Sequence, residues 1–476
     1  MAAMLPEDIL VEVFSRVGAV KDLFRLAVTC KRWHRLFTDR DFLRRLWPET
    51  DRARLRGLFF HGPRPDPRPA ERNDRWVFLP TSQLDSPPVG PEDGDLASFF
   101  APDDRGYHHG GSTPMASRHG VLLSHSVIIR RTCCIWRDDE IHYRLLDPVT
   151  GARDDVSPPP DCACAGSACG YAILTASDGA AVFPGDLLLV GDHLDKARFR
   201  QHVHAFSAAT RHWSAPAQVR HRRRLRMVGT RAAVVHRGAA HWVYADDTVD
   251  ASVPQSQRHL YLLTASTSSA TNGRRVVSAS VTKLAIKAAG GVPYLCVSRD
   301  SGSRLWLARV HPTRVDVWAQ QDGDDGGDVV AWLRAQVFGK EWLLARVIQM
   351  PAAAVVPAGA NFMCCSWFHL SKGTMMAVFG GSGVFVLDLE TEAMEKIVDL
   401  SGCAASRGFY SCLPYEMDLP EFFLGRLGGR RAEMEMEEQQ VALTMGGISS
   451  LIFQFIMPGT WEYMRGWEHV IRSHVC

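Results

Sequence analysis

The sequence predicts a multidomain α + β chain: a small three-helix module at the N-terminus, then a mainly antiparallel β domain of the propeller kind. Three observations carry this expectation. Apolar side chains in the first fifty residues recur at helical spacing. A stretch dense in arginine and proline follows. Beyond it the pattern turns to short alternating runs broken by Gly, Pro and Asp, with one turn pattern recurring. The corresponding domains are residues 1–50 for the helical module, 51–75 for a Pro/Arg-rich linker, 76–425 for the β domain and 426–476 for a partly helical tail.

A chain of 476 residues is too long for one small core. Its 54 basic and 52 acidic side chains leave a net charge of only +2, so no global attraction draws it to nucleic acid or an anionic membrane, and neither is expected as a partner. Pro6, Glu7, Asp8 and Glu12 interrupt anything resembling a secretory signal. The longest apolar stretch, Met350 to Leu370, is broken by Pro351, Pro357 and Asn361, and Ile448 to Met457 is shorter than the roughly 20 residues a membrane helix needs. Twelve cysteines without an export signal or a glycosylation sequon read as reduced thiols, which places the chain in cytoplasm or nucleus.

In the helical module, Leu5-Pro6-Glu7-Asp8 opens a helix: proline suits the first position, and the two acids face the positive end of the dipole. Leu5, Ile9, Leu10, Val13, Phe14 and Val17 then form one stripe, which Gly18 ends. A second short helix carries Leu23, Leu26 and Ala27. A third, after Thr29-Cys30, sets Trp33, Leu36 and Phe37 against Lys31, Arg32 and Arg35. Asp41 is expected to cap a last turn bearing Phe42, Leu43 and Leu46.

These residues resemble an F-box. Leu5-Pro6-Glu7-Asp8-Ile9-Leu10-Val11-Glu12-Val13-Phe14-Ser15-Arg16, followed by Leu23, Leu26-Ala27-Val28-Thr29-Cys30-Lys31-Arg32-Trp33 and Leu36, is similar to the family's Leu-Pro-acidic-acidic opening and its Cys-basic-x-Trp segment over about a tenth of the chain. It departs in having Gly18-Ala19-Val20 where the family usually has a Leu-Pro turn. The resemblance implies binding to the small adaptor of SCF-type ubiquitin ligases and, through it, to a cullin. The adaptor-binding residues it implies are Leu5, Pro6, Ile9, Leu10, Val13, Phe14, Leu23, Leu26, Val28, Cys30, Trp33 and Leu36, with Phe14 and Trp33 expected as hot spots. The bland alternative is a helical subdomain packed on its own chain.

Arg52 to Arg75, with Pro63, Pro65, Pro67 and Pro69 in near alternation, reads as an extended spacer without helix or central strand. Residues 81–118 read as loops. In the β domain an apolar run followed by Asp, Ser or Thr and a later Thr recurs at Asp147–Thr150, Ser207–Thr210, Thr264–Thr267 and Asp388–Thr391, in steps of roughly 60 residues or twice that. Short oxygen-bearing side chains of this kind close turns. A period of that length suggests roughly six propeller blades; the kelch signature is absent, and a β-sandwich is the other reading. Gly408-Phe409-Tyr410-Ser411-Cys412-Leu413-Pro414-Tyr415, followed by Pro420, resembles the ending of large plant F-box families, grass members in particular. In the tail, Glu433 to Gln440 is compatible with a helix, and Trp461, Met464, Trp467 and Val470 fall at helical spacing.

No catalytic constellation emerges and no cofactor is expected. Cys162, Cys164 and Cys169, with Cys133 and Cys134, lack zinc-knuckle spacing. Arg220, Arg222, Arg223, Arg224 and Arg226 make a basic run without stacking aromatics, more often a solvated edge than a grip on an acidic target. Gly380-Gly381-Ser382-Gly383 reads as a hairpin turn, and His202 and His204 share one strand face. The expected function is a non-catalytic receptor that carries an unidentified protein target to a ubiquitin ligase. The alternatives are a propeller-type enzyme or carbohydrate-binding protein, and an F-box scaffold without a role in degradation.

Overall fold

The computed structural model describes residues 6–17, 20–47, 55–62, 75–80, 113–128, 131–132, 135–136, 140–148, 152–159, 170–175, 178, 185–195, 198–221, 224–246, 258–269, 275–288, 290–299, 304–320, 342–351, 365–370, 373–379, 382–399 and 411–428. The chain divides into two compact units: one built on Met1–Arg54 and Met417–Cys476 with Val149–Ala152, the other on Leu55–Pro148 and Arg153–Glu416.

The first unit is helical. Helices α1 (Glu7–Ser15), α2 (Val20–Ala27), α3 (Lys31–Phe37) and α4 (Arg40–Leu46) follow one another, and α5 (Leu419–Gly428) returns from the far end of the sequence. Pro6 precedes α1 as its N-cap, one residue earlier than expected, and Glu7 and Asp8 occupy the first turn. The last turn expected after Asp41 is a fourth helix. Its cap is Asp39, whose Oδ1 accepts from the backbone N–H of Asp41 and Phe42 at 2.9 Å each, so Asp41 lies within the helix and not at its start.

The second unit is a β-propeller of antiparallel sheets. Blade 1 is β3 (Thr113–Arg118), β4 (Val121–Ile128), β7 (Glu140–Leu146) and β8 (Arg153–Val156). The short strands β5 (Arg131–Thr132) and β6 (Ile135–Trp136) pair with each other beside it in sequence. Blade 2 is β9 (Gly170–Leu174), β10 (Asp186–Asp195) and β11 (Arg198–Ser207), with β12 (His212–Trp213) and β13 (Ala217–Arg220) both on β11. Blade 3 sets β14 (Leu225–Met227) and β15 (Val234–His236) on β16 (Ala239–Asp246), followed by β17 (His259–Ser269) and β18 (Arg275–Lys287). Blade 4 is β19 (Val292–Val297), β20 (Leu305–Val310), β21 (Arg314–Gln320) and β22 (Trp342–Gln349). Blade 5 is β23 (Cys365–His369), β24 (Thr374–Phe379), β25 (Gly383–Asp388) and β26 (Met394–Asp399).

A three-stranded sheet completes the unit. In it β1 (Leu55–Gly62) lies between β2 (Arg75–Pro80) and β27 (Ser411–Glu416), so the first and last strands are hydrogen-bonded neighbours. The roughly six blades expected correspond to five blades of four or five strands and this shorter sheet. A separate apolar core fills each seam between successive sheets from blade 1 round to the closing sheet. At the last seam Gly120 N–H donates to Glu416 O at 2.9 Å, and the Tyr415 hydroxyl donates to Gly120 O at 3.3 Å.

Several expectations change here. Leu55–Gly62 is a central strand, although it falls in the segment expected as a spacer. Its Leu58, Phe59 and Phe60 are almost wholly buried, and that apolar run outweighs the prolines, which all lie after Gly62. Thr113–Arg118 is an inner strand and not a loop. Asp388 closes its turn as expected, its Oδ1 accepting from Glu390 N at 2.8 Å and Thr391 N at 2.9 Å. Thr264 does not: it sits in mid-strand β17 opposite His241, with its hydroxyl 3.0 Å from the imidazole Nδ1. Thr150 and the expected tail helices lie outside the described residues.

Candidate functional site

The helical unit encloses an aromatic core. Phe14 of α1 meets Trp33 of α3 edge-on, with ring centroids 5.5 Å apart, and lies 5.0 Å from Phe37. Phe423 of α5 stacks on Phe37 at 4.9 Å and on Trp47 at 5.3 Å, and Phe24 of α2 packs 6.1 Å from both Phe422 and Phe423. Ion pairs fasten the outside. Arg45 reaches back to Glu7 at 2.7 Å and Asp8 at 3.3 Å, and Arg40 of α4 holds Glu421 of α5 at 2.5 Å.

Burial sorts the twelve residues expected to meet a ligase adaptor. Leu10, Phe14, Leu23 and Leu36 are buried in the unit's own core. Val13, Leu26, Cys30 and Trp33 are half-buried, and Pro6, Ile9 and Val28 are exposed, Ile9 at 49% and Val28 at 46%. Leu5 lies outside the described residues. Phe14, expected as a hot spot, is 2% exposed and lies inside the unit's own core. Phe14 positions α1; Ile9, on the same helix, has the free surface. Cys30 has a local task as well, since its Sγ caps α3 by accepting from the Trp33 N–H at 3.4 Å.

Sequence reasoning missed α5, although its start was legible. Asp418-Leu419-Pro420-Glu421 has the same grammar as the opening of α1, and Asp418 Oδ1 accepts from Glu421 N at 3.1 Å.

The inner strands of the propeller bring together a second group. Arg118, at the end of β3, makes a bidentate ion pair with Asp178 and donates to Ile173 O at 3.0 Å. Asp178 also accepts from Thr175 N at 2.9 Å and Thr175 Oγ1 at 3.1 Å. Burial alone would raise its pKa, but the hydrogen bond and charge of Arg118 hold it below the usual carboxylate range. Burial, and then the charge of Arg118, push His369 at the end of β23 down to about 4. Asp178 is thereby committed to a guanidinium and His369 is neutral at pH 7, an arrangement that fastens strands and leaves neither group as a free acid or base.

His202 and His204 share a face of β11 with rings 6.4 Å apart. Among the described residues no three His, Cys, Asp or Glu gather as a metal site. Cys133, Cys134, Cys162, Cys164 and Cys169 lie outside the described residues, as do Arg222 and Arg223, while Arg224 and Arg226 are exposed. Ser382 N–H donates to Phe379 O at 3.1 Å in the turn between β24 and β25, as a hairpin requires. Among the described residues no helix is long and apolar enough to cross a membrane.

Residues 2–48 match the F-box-like family, a span that takes in α1 to α4, so the chain carries an F-box-like domain at its N-terminus. No curated protein matches the chain. Among solved structures it is similar to an α-L-arabinanase of Penicillium chrysogenum complexed with arabinobiose, at 11% identity over 65% of this chain and 80% of that one, with a TM-score of 0.32. An oligogalacturonate lyase of Vibrio parahaemolyticus is similar at 9% identity over 72% of this chain and 86% of that one, with a TM-score of 0.29.

Proposed function

We propose that the protein is the substrate-receptor subunit of an SCF-type ubiquitin ligase, acting in cytoplasm or nucleus without catalysis of its own. The F-box-like domain binds the small adaptor and, through it, the cullin; the propeller binds a protein target. The observation that carries the reading is the F-box-like match at residues 2–48, in a helical unit that keeps Ile9 and Val28 exposed beside its buried aromatic core. Exposed apolar side chains beside a sealed core suit a partner helix. The contribution to ubiquitin transfer is proximity: a target held beside a charged enzyme reacts as though at high local concentration. The resemblance of Gly408 to Tyr415 supports membership of the plant F-box families.

The test is co-purification of the full-length chain with a ligase adaptor. Wild type is expected to retain the adaptor, and Ile9→Asp/Val28→Asp to lose it with an unchanged melting temperature. Failure of wild type to retain the adaptor would defeat the proposal, and equal retention by both would move the contact away from Ile9 and Val28.

A further inference from the structure

The outer edge of blade 4 differs from the outer edges of the other blades. An outermost strand leaves one row of N–H and C=O groups unpaired, and proteins guard such edges with charge, shortness or proline. Blade 1 ends on the four-residue β8, with Arg153, Asp154 and Asp155. Blade 2 ends on the short β12 and β13. Blade 3 ends on β18, which exposes one large apolar side chain, Val276 at 51%, among Ser278, Ser280, Thr282, Lys283 and Lys287. Blade 5 ends on β26, with Glu395, Lys396 and Asp399.

Blade 4 ends on β22, eight residues long, whose one charge is Arg346. That guanidinium is drawn onto blade 5, donating to Glu390 O and lying 3.9 Å from Glu392. Leu343, Leu344 and Val347 are exposed at 49%, 54% and 44%. Among the described residues β22 pairs with β21 alone. A register shift opposite Val317 and Trp318 sets Leu344 and Val347 on one face and Leu343 on the other.

We infer that this edge receives an extended, alternately apolar segment of the protein target as a fifth strand of blade 4. The inference rests on the receptor reading above and gives it a docking place and a target chemistry. A second copy of the chain is the competing occupant, and size disfavours it. Eight residues make an edge about 27 Å long and about 10 Å thick, so about 300 Å², well below the roughly 800 Å² per partner of a stable interface. That size suits a linear segment whose main chain bonds along the edge while alternate side chains cover Leu344 and Val347.

The test pans a displayed library of random decapeptides against the full-length protein, with counter-selection on Leu344→Lys/Val347→Lys. Both side chains are exposed, and an unchanged melting temperature verifies the variant's fold. Enriched peptides are expected to alternate apolar residues, to bind the variant about tenfold more weakly or worse, and to slow amide exchange along Leu343–Ile348. N-methylation at alternate positions is expected to abolish their binding. Failure to enrich any discriminating peptide overturns the inference, as does protection elsewhere in the chain. A dimer in sedimentation that the variant abolishes would assign the edge to a second copy and overturn it too. Adaptor binding is measured alongside. If the adaptor binds and no peptide does, the edge inference fails alone; if peptides bind and the adaptor does not, the receptor reading fails and the edge remains a peptide site.

Discussion

Phe14 and Ile9 are five residues apart on one helix and do opposite work. Phe14 is sealed among Trp33, Phe37 and Phe42, while Ile9 is half in solvent. Phe14→Ala should therefore unfold the helical unit at lower temperature, at a cost of about 3–5 kcal/mol. Ile9→Asp should leave the melt unchanged and weaken adaptor binding. Calorimetry of both variants beside a binding titration separates the two roles, and a Phe14→Ala chain that melts like wild type would refute this assignment. Asp39 offers a second check: Asp39→Ala should cost about 1 kcal/mol as a lost cap, whereas Asp41→Ala should cost a few tenths at most. Apolar spacing in the sequence marks the helices but does not say which apolar residues stay wet, because α1 alone cannot show that a helix from the far end of the sequence covers its neighbours. Asp39 and Asp41 are equally good caps as letters; only the backbone distinguishes them.

Elements joined across the whole sequence were the hardest to foresee. The strand β1 and the helix α5 each find their partners at the opposite end of the chain, β1 on β27 and α5 on α3 and α4. Alternation marks strands well where one face is polar, as in β18, and turns well where a carboxylate caps them, as at Asp388. It fails for β1, where Leu58-Phe59-Phe60 is buried on both faces and shows no alternation. It fails for Thr264 as well, whose side chain serves a strand pair although its letters read as a turn. Phe423 puts this long-range packing to the test. Its ring is fully buried between Phe37 and Trp47, so Phe423→Ala should cost about 3–5 kcal/mol and lower the melting temperature of the F-box-like domain, although it lies far outside residues 2–48. An unchanged melt would show that α5 adds nothing to the fold.

For the molecule as a whole, acid is the informative stress. His369 is held at about 4 in the fold, against an ordinary value near 6.5. Between those values the unfolded chain binds the proton and the folded chain does not. The stability His369 contributes is therefore intact above pH 6.5 and is lost as pH falls toward 4, at about 1.4 kcal/mol per pH unit. His125, lowered by burial and then by Arg231, acts in the same direction. Asp178 adds a further loss in stronger acid, as pH falls through its depressed value. Asp186 opposes them: burial raises its pKa despite Arg275 at 2.8 Å, so its protonation favours the fold. Melting curves should accordingly show the propeller weakening from pH 6.5 to 4.5, with His369→Gln flattening part of that slope; a profile identical in the variant would contradict the account. The proposed function requires that the F-box-like domain meet a ligase adaptor through side chains left exposed beside an already sealed core. Its most direct measurement is size-exclusion co-elution of the purified full-length chain with a ligase adaptor, in wild type and in Ile9→Asp/Val28→Asp. One joint peak for wild type and two separate peaks for a folded variant is the predicted result, and separate peaks for wild type would contradict it.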